Sequence, residues 1–486
     1  MLDETAMRTI KIVDARSPRR VKRALDDAMH GRGPAILARR SAAEVVSIGG
    51  AVLDEGGDDG HFTLPDDAPE DACLIVETSG STAQPKRVVL TASALRSSAN
   101  ATHQRFDELA GRHAGRATRQ WLLALPTEYV AGMQVLARSI IEGTEPIILP
   151  EGSFDPREFC DAAQRMTAER RYVSLVPAQV QRLIELGEVG LKLERERELD
   201  AHDNADGWFA PPVTMDAIAS GEPLDEHEAL GDDVLRIGRR FDAILVGGQA
   251  TPGPWLNRGR ELGWRVVTSY GSSETSGGCV YNGIPLDGVS LRLNDDELEI
   301  SSPTLAWGYL DDEARTAERF TSEGEQRWYR TGDRGALGPR SGVRPADVPP
   351  EHWQRVRVYG RMDDVFISGG VKVRLGAVEE IVRAQPGFEG AVVVPGPHER
   401  WGEVPIVVVT GDPEHPGDLA EQLVEIRAEV RAEVGVAARP DDIIEVSELP
   451  LLGSGKPDRR RIADFVREHI EARYSPHALD PDDELN

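Results

Sequence analysis

Apolar and polar residues alternate along this chain in two rhythms. From about residue 73 to 300, short apolar runs are separated by stretches with helical spacing. The runs at 73–77, 121–125, 146–149, 172–176, 242–246 and 265–269 read as buried strands, and 92–109, 132–142, 156–168, 177–187 and 252–262 as helices between them. This predicts an α/β fold: a large N-terminal domain of covered mixed or parallel sheets. Two stretches break the rhythm. Residues 188–235 are acidic and polar and read as a surface insertion, partly disordered; residues 338–355, rich in Pro, Arg and Gly, read as a loop leading to a boundary.

The second rhythm starts near Arg361. An apolar run at 365–367, a helix at 375–385, strands at 390–394 and 405–409, a charged helix at 417–434 and a strand at 442–446 predict a smaller α+β domain. The expected organisation is an N-terminal domain over 1–360, a mobile C-terminal domain over 361–474 joined by a hinge, and an acidic tail over 475–486.

The chain has 486 residues, enough for two or three domains, and its net charge of −27 disfavours nucleic acid or an anionic membrane as partner. Cys73, Cys160 and Cys279 form neither a metal spacing nor a disulfide framework. The first residues are too charged for a signal peptide and no apolar run approaches membrane-spanning length, so a soluble cytoplasmic protein is expected, with a homodimer left open.

Chemistry enters with one loop. Thr78, Ser79, Gly80, Ser81, Thr82, Ala83, Gln84, Pro85 and Lys86 follow one another between two strand-like runs. Backbone N–H groups, hydroxyls and one ammonium are the inventory for surrounding a polyphosphate, although the Walker spacing is absent. Lysine usage strengthens this reading. Among 56 basic residues only six are lysines, and Lys86 and Lys456 both stand in Gly/Ser-rich loops, where a compact point charge is wanted rather than an arginine fork.

Five segments then occur in a fixed order: the 78–86 loop; Ser269-Tyr270-Gly271-Ser272-Ser273-Glu274-Thr275; Tyr329-Arg330-Thr331-Gly332-Asp333; Gly360-Arg361-Met362-Asp363-Asp364 with Ile367-Ser368-Gly369-Gly370; and Leu449 through Leu452-Gly453-Ser454-Gly455-Lys456-Pro457-Asp458. Together, over roughly residues 70–470, they resemble the adenylate-forming superfamily of acyl-CoA synthetases, luciferases and adenylation domains. The resemblance implies ATP, Mg²⁺ and CoA as cofactors or co-substrates and a small carboxylic acid as partner. It also implies the order of the reaction: the carboxylate is joined to AMP with loss of pyrophosphate, then passed to a thiol.

Residue by residue, Thr78, Ser79, Gly80, Ser81, Thr82 and Lys86 would hold the β- and γ-phosphates. Ser273 would donate to the α-phosphate and Glu274 would hold Mg²⁺. Asp333 would take the ribose hydroxyls, Arg361 the ribose or phosphate, and Gly247 and Gly248 would flank adenine. Asp363 resembles the hinge. Lys456 would reach the α-phosphate and the acid only in the adenylating arrangement, whereas Ser368, Gly369, Gly370 and Lys372 would lie near a pantetheine tunnel in the other. Ala83 departs from the usual glycine of the phosphate loop, where a positive φ would cost alanine roughly 1 kcal/mol.

Segments around 125–139, 174–182 and 270–279 are similar to the o-succinylbenzoate-CoA ligases within that superfamily. This makes Arg138 the expected partner of a spectator carboxylate. Ser174 falls in the second of these segments, Tyr129 would screen the site, and Gly277 and Gly278 would leave room for a planar ring. The alternatives are a CoA ligase for another aryl or fatty acid, an adenylation enzyme loading a carrier protein, and a nucleotide-binding pseudoenzyme.

Overall fold

The computed structural model describes residues 9–40, 47–48, 51–52, 62–64, 68–78, 85–111, 117–205, 225–340, 354–411, 419–453 and 455–474. Its first sheet has six strands in the order Gly308–Tyr309, Lys86–Thr91, Ala72–Thr78, Ala35–Arg39, Thr9–Asp14 and Phe62–Thr63. The second has seven. Ile147–Ile148, Arg119–Leu123, Arg170–Leu175, Ala243–Val246 and Val266–Ser272 run parallel, and Gly277–Tyr281 and Ile284–Pro285 are added antiparallel.

Period-two alternation decides how this sheet is covered. Trp121, Leu123 and Tyr172 join one apolar core with helices Ala92–Leu109 and Val130–Glu142, and Leu122 and Val173 point into another with helices Pro156–Gln164 and Glu226–Arg240. Both faces are buried, which is why these strands read as continuous apolar runs. Local signals set the helix ends. Thr91 Oγ1 accepts from Ala94 N at 3.1 Å, Asp155 accepts from Arg157 N at 2.7 Å, and Asp225 and Glu228 form a capping box; each cap is worth about 1 kcal/mol.

The helix expected over 177–187 continues to Ala205, and Glu226–Arg240 is a second helix packed against it. The polar segment 188–235 is therefore largely helical where it is described, not an irregular insertion. Its acidic face is held by arginines across helices: Arg239 to Glu194 at 2.7 Å, Arg197 to Asp232 at 3.1 Å and Arg258 to Glu188 at 2.6 Å. Residues 206–224 lie outside the described residues.

A third sheet contains the long strand Gln326–Pro339, paired antiparallel with Gln354–Arg361 so that Asp333 stands opposite Arg361. The expected loop over 338–355 is thus trimmed by strand at both ends, and 341–353 lie outside the described residues. The C-terminal sheet starts at Val365, which leaves residues 362–364 between the two sheets. It is covered on one face by helices Leu375–Ala384 and Leu419–Glu433 and on the other by Arg459–Tyr474, and Gly402–Thr410 alternates Val407 and Val409 toward one core with Ile406 and Val408 toward the other.

All three cysteines are buried. Loss of solvation pushes the Cys160 and Cys279 thiols up to about 12 and Cys73 higher still. Among the described residues no helix is long and apolar enough to cross a membrane.

Candidate active site

A cleft of about 120 Å³ opens beside the end of strand Val266–Ser272 and the hairpin carrying Asp333 and Arg361; Lys86, Glu274, Tyr309 and Tyr329 also line it. Asp333 is the centre of its polar network. Tyr270 Oη donates to Asp333 Oδ2 at 2.6 Å, and Arg361 Nη1 approaches Oδ1 at 3.4 Å while donating to Thr331 O at 2.9 Å. Burial raises the Asp333 carboxyl above its ordinary value, with Tyr270 and Arg361 opposing it. Arg361 Nε also donates to Asp363 Oδ1 at 3.0 Å; although partial burial works the other way, that hydrogen bond holds Asp363 below the ordinary aspartate value.

Ser273 and Glu274 belong to a short 3-10 turn that ends the strand, and both are buried. Glu274 Oε1 accepts from Tyr309 Oη at 2.8 Å. Lys86 is lowered below the ordinary lysine value by burial, with Glu274 pulling it back. Among the described residues no cluster of three or more His, Cys, Asp or Glu could hold a metal by itself. A lone carboxylate nevertheless fits Mg²⁺, which takes one or two protein oxygens and fills its octahedron with water and phosphate. Thr78 and Lys86 pair across the mouth of the 78–86 loop; Ser79, Gly80, Ser81, Thr82 and Ala83 lie outside the described residues.

Lys456 does not line this cleft but stands on a loop of the C-terminal domain that comes against the N-terminal domain close by. Its loop is closed by Leu452 N donating to Lys456 O at 2.7 Å and Gly455 N to Leu452 O at 2.8 Å. It is seated on the N-terminal domain: a Cβ on Gly248 would stand 3.4 Å from Lys456 Cε, one on Gly453 2.8 Å from Tyr129 Oη, and one on Gly455 3.0 Å from Val176 Cγ2. Partial desolvation lowers the Lys456 ammonium, and Asp333 opposes that shift. Gly248, Tyr129 and Val176 thus flank the Lys456 loop.

Beyond this loop, helix Val130–Glu142 carries Gln134 and Arg138 inward. Gln134 Nε2 donates to Ser276 O, and its Oε1 finds no partner among the described residues. Arg138 is 2% exposed. Its Nη2 lies 3.3 Å from both Thr102 Oγ1 and Tyr281 Oη, its guanidinium stacks 4.7 Å above the Trp121 ring, and its Nε has no partner among the described residues. Ser174 is buried with an equally unpartnered hydroxyl. A Cβ on Gly277 would meet Gln134 Cγ at 3.2 Å, and one on Gly278 would fall 2.0 Å from Ser269 Oγ. The space beside Gly278 is thus taken by Ser269 rather than left open.

Ser368, Gly369, Gly370 and Lys372 lie on a tight hairpin of the C-terminal domain, and none of them lines the Asp333 cleft. Ser368 instead borders a separate cavity of about 270 Å³ with Trp401, Arg427 and Arg439.

Sequence reasoning missed Tyr270, Tyr309 and Arg319 as members of the cleft. Tyr270 stands inside a recognised motif and could have been found there; Tyr309 and Arg319 have no motif around them.

The family model of the AMP-binding enzymes matches residues 5–307, and that of the AMP-binding enzyme C-terminal domain matches 377–456. The chain belongs to the AMP-binding enzymes. Among relatives of this AMP-binding enzyme, a Mycobacterium tuberculosis protein named probable 2-succinylbenzoate–CoA ligase is 33% identical over 404 residues, 82% of this chain and 86% of its own. The o-succinylbenzoate CoA synthetase MenE from Bacillus subtilis, in complex with the acyl-adenylate OSB-AMP, aligns with a TM-score of 0.57 at 19% identity, over 93% of this chain and 82% of its own. The amide bond synthetase McbA from Marinactinospora thermotolerans also gives 0.57, at 21% identity, over 94% and 80%. Such equal scores show the fold and do not choose a substrate. The adenylate-forming resemblance, the two-part α/β organisation and the reading as an acyl-CoA ligase enzyme are borne out by these matches.

Proposed function

We propose that the chain converts o-succinylbenzoate and CoA into o-succinylbenzoyl-CoA through an acyl-adenylate, consuming ATP and releasing AMP and pyrophosphate, as a step of menaquinone biosynthesis. The observation that carries the choice of acid is Arg138. A guanidinium this deeply buried costs several kcal/mol unless a counter-charge joins it, and among the described residues it has hydroxyl and aromatic neighbours but no carboxylate. An acid with a second, spectator carboxylate supplies that charge; benzoate or a fatty acid does not.

The remaining roles follow from position. Asp333, aimed by Tyr270, accepts the ribose hydroxyls. Glu274, oriented by Tyr309, would hold Mg²⁺, which would neutralise phosphate charge when bound. Lys86 and the 78–86 loop hold the phosphates, with Ser273 at the α-phosphate. Lys456, an exposed lysine on a loop seated against Gly248 and within the field of Asp333, would place an ammonium where the acid and α-phosphate meet. Ser368, Gly369, Gly370 and Lys372 serve the thiol half-reaction after the C-terminal domain turns about Asp363. The test is pyrophosphate release over a panel of acids, with and without CoA. o-Succinylbenzoate should be fastest and should yield the thioester only with CoA; faster turnover of benzoate or a medium-chain fatty acid would overturn the acid assignment and leave the class standing.

A further inference from the structure

Arg319 is the last residue of the short helix Glu313–Arg319 and lines the Asp333 cleft. Its guanidinium is weakly held. Its ion partner is the neighbouring Glu318, at 3.4 Å through Nε, and that glutamate side chain is 61% exposed. The other end of the fork points at Gly332. A Cβ on Gly332 would stand 3.0 Å from Arg319 Nη1 and 2.9 Å from Arg361 Nη2, so two guanidinium groups converge on one point, and the glycine (φ 70°) is what leaves room for them.

Arg361 already satisfies Asp363, Asp333 and Thr331 O, and Glu274 is tied to Tyr309. Arg319 therefore faces Arg361 as a like charge with no carboxylate of the cleft bound to it among the described residues. Its field reaches the other groups there: it disfavours the Lys86 ammonium and the neutral forms of Tyr309 and Asp363. Like charges brought this close are relieved by a multivalent anion, and a planar fork matches phosphate oxygens.

We propose that Arg319 binds the pyrophosphate end of ATP, together with Lys86 and Arg361, and holds the leaving group in the adenylation step. This rests on reading the cleft as a nucleotide site, and it is independent of which acid is used. The test is calorimetric titration of the full chain with ATP, pyrophosphate or AMP in the presence of Mg²⁺ and without acid or CoA. Arg319→Gln should weaken ATP and pyrophosphate about 10- to 100-fold and leave AMP nearly unchanged. Arg319→Lys, which keeps the charge and loses the fork, should recover part of that affinity. Unchanged ATP and pyrophosphate affinity in both variants overturns the proposal, as does equal weakening of AMP, which would mark Arg319 as structural. A wild-type protein that binds none of the three would instead remove the nucleotide reading itself.

Discussion

Two arginines, Arg361 and Arg138, sit in unlike surroundings in the two halves of the proposed site. The Arg361 side chain is 44% exposed and is already ion-paired, with Asp363 at 3.0 Å and Asp333 at 3.4 Å. Arg138 is nearly sealed from solvent, with two hydroxyls and a Trp121 face but no acid among the described residues. On the proposed nucleotide side, Arg361 is balanced by carboxylates of the protein, whereas Arg319 is left, among the described residues, with a single, largely exposed glutamate. On the proposed acyl side, Arg138 has no carboxylate partner among the described residues, and in our proposal the acid itself supplies that missing half. A site that keeps a buried cation unpaired loses stability until substrate arrives, and it rejects acids that cannot complete the pair.

The largest effect is expected where the halves meet. Lys456→Ala should lower adenylation roughly 10²- to 10³-fold, the range for removing one preorganised donor, and leave thioester formation from preformed acyl-adenylate nearly intact. Equal loss in both half-reactions would show that Lys456 does not belong to one domain arrangement alone. The same lysine sets a pH limit. Partial desolvation favours its neutral amine, so rising pH should remove adenylation at a value below that of an ordinary lysine, as the alkaline limb of kcat/KM for the free enzyme.

Arg138→Met addresses the unbalanced half directly. KM for o-succinylbenzoate should rise by tens- to a hundredfold, about 2–3 kcal/mol, with KM for ATP little changed. Because the apolar side chain removes an unpaired buried charge, the ligand-free protein should melt at the same or a higher temperature. A lower Tm with an unchanged KM would make Arg138 a structural cation and dissolve the contrast with Arg361.

The smallest effect is expected at Ala83→Gly, which touches the phosphate side only. If alanine stiffens that loop, glycine should speed adenylation severalfold, in line with a strain of about 1 kcal/mol, and leave the acid's KM alone. A slower glycine variant would mean that alanine suits the backbone at this position.

The contrast between the halves also marks how far the sequence could be read. The strands of the second sheet were legible because both faces are buried and apolar residues run on without a break. The second half of helix Pro177–Ala205 was not, because a solvent face knitted by Glu188, Glu194 and Arg197 to charged residues of other helices has the composition of a loop. Asp333, Glu274 and Lys456 could be named from motifs. The burial of Arg138 could not, since among 50 arginines nothing local separates a sealed guanidinium from a solvated one. Arg319 escaped for a related reason. Its significance comes from meeting Arg361 over Gly332, a coincidence of fold rather than of neighbouring residues.

The three buried cysteines carry a further consequence for an enzyme whose second substrate is a thiol. With Cys73, Cys160 and Cys279 all enclosed and their burial favouring the neutral thiol, the folded protein offers no accessible thiolate of its own to a disulfide or a thiol-reactive agent. Coenzyme lost to oxidation therefore cannot be captured as a mixed disulfide with the folded chain. A thiol-reactive dye in the cuvette reads the consumption of CoA alone, free of background from the catalyst.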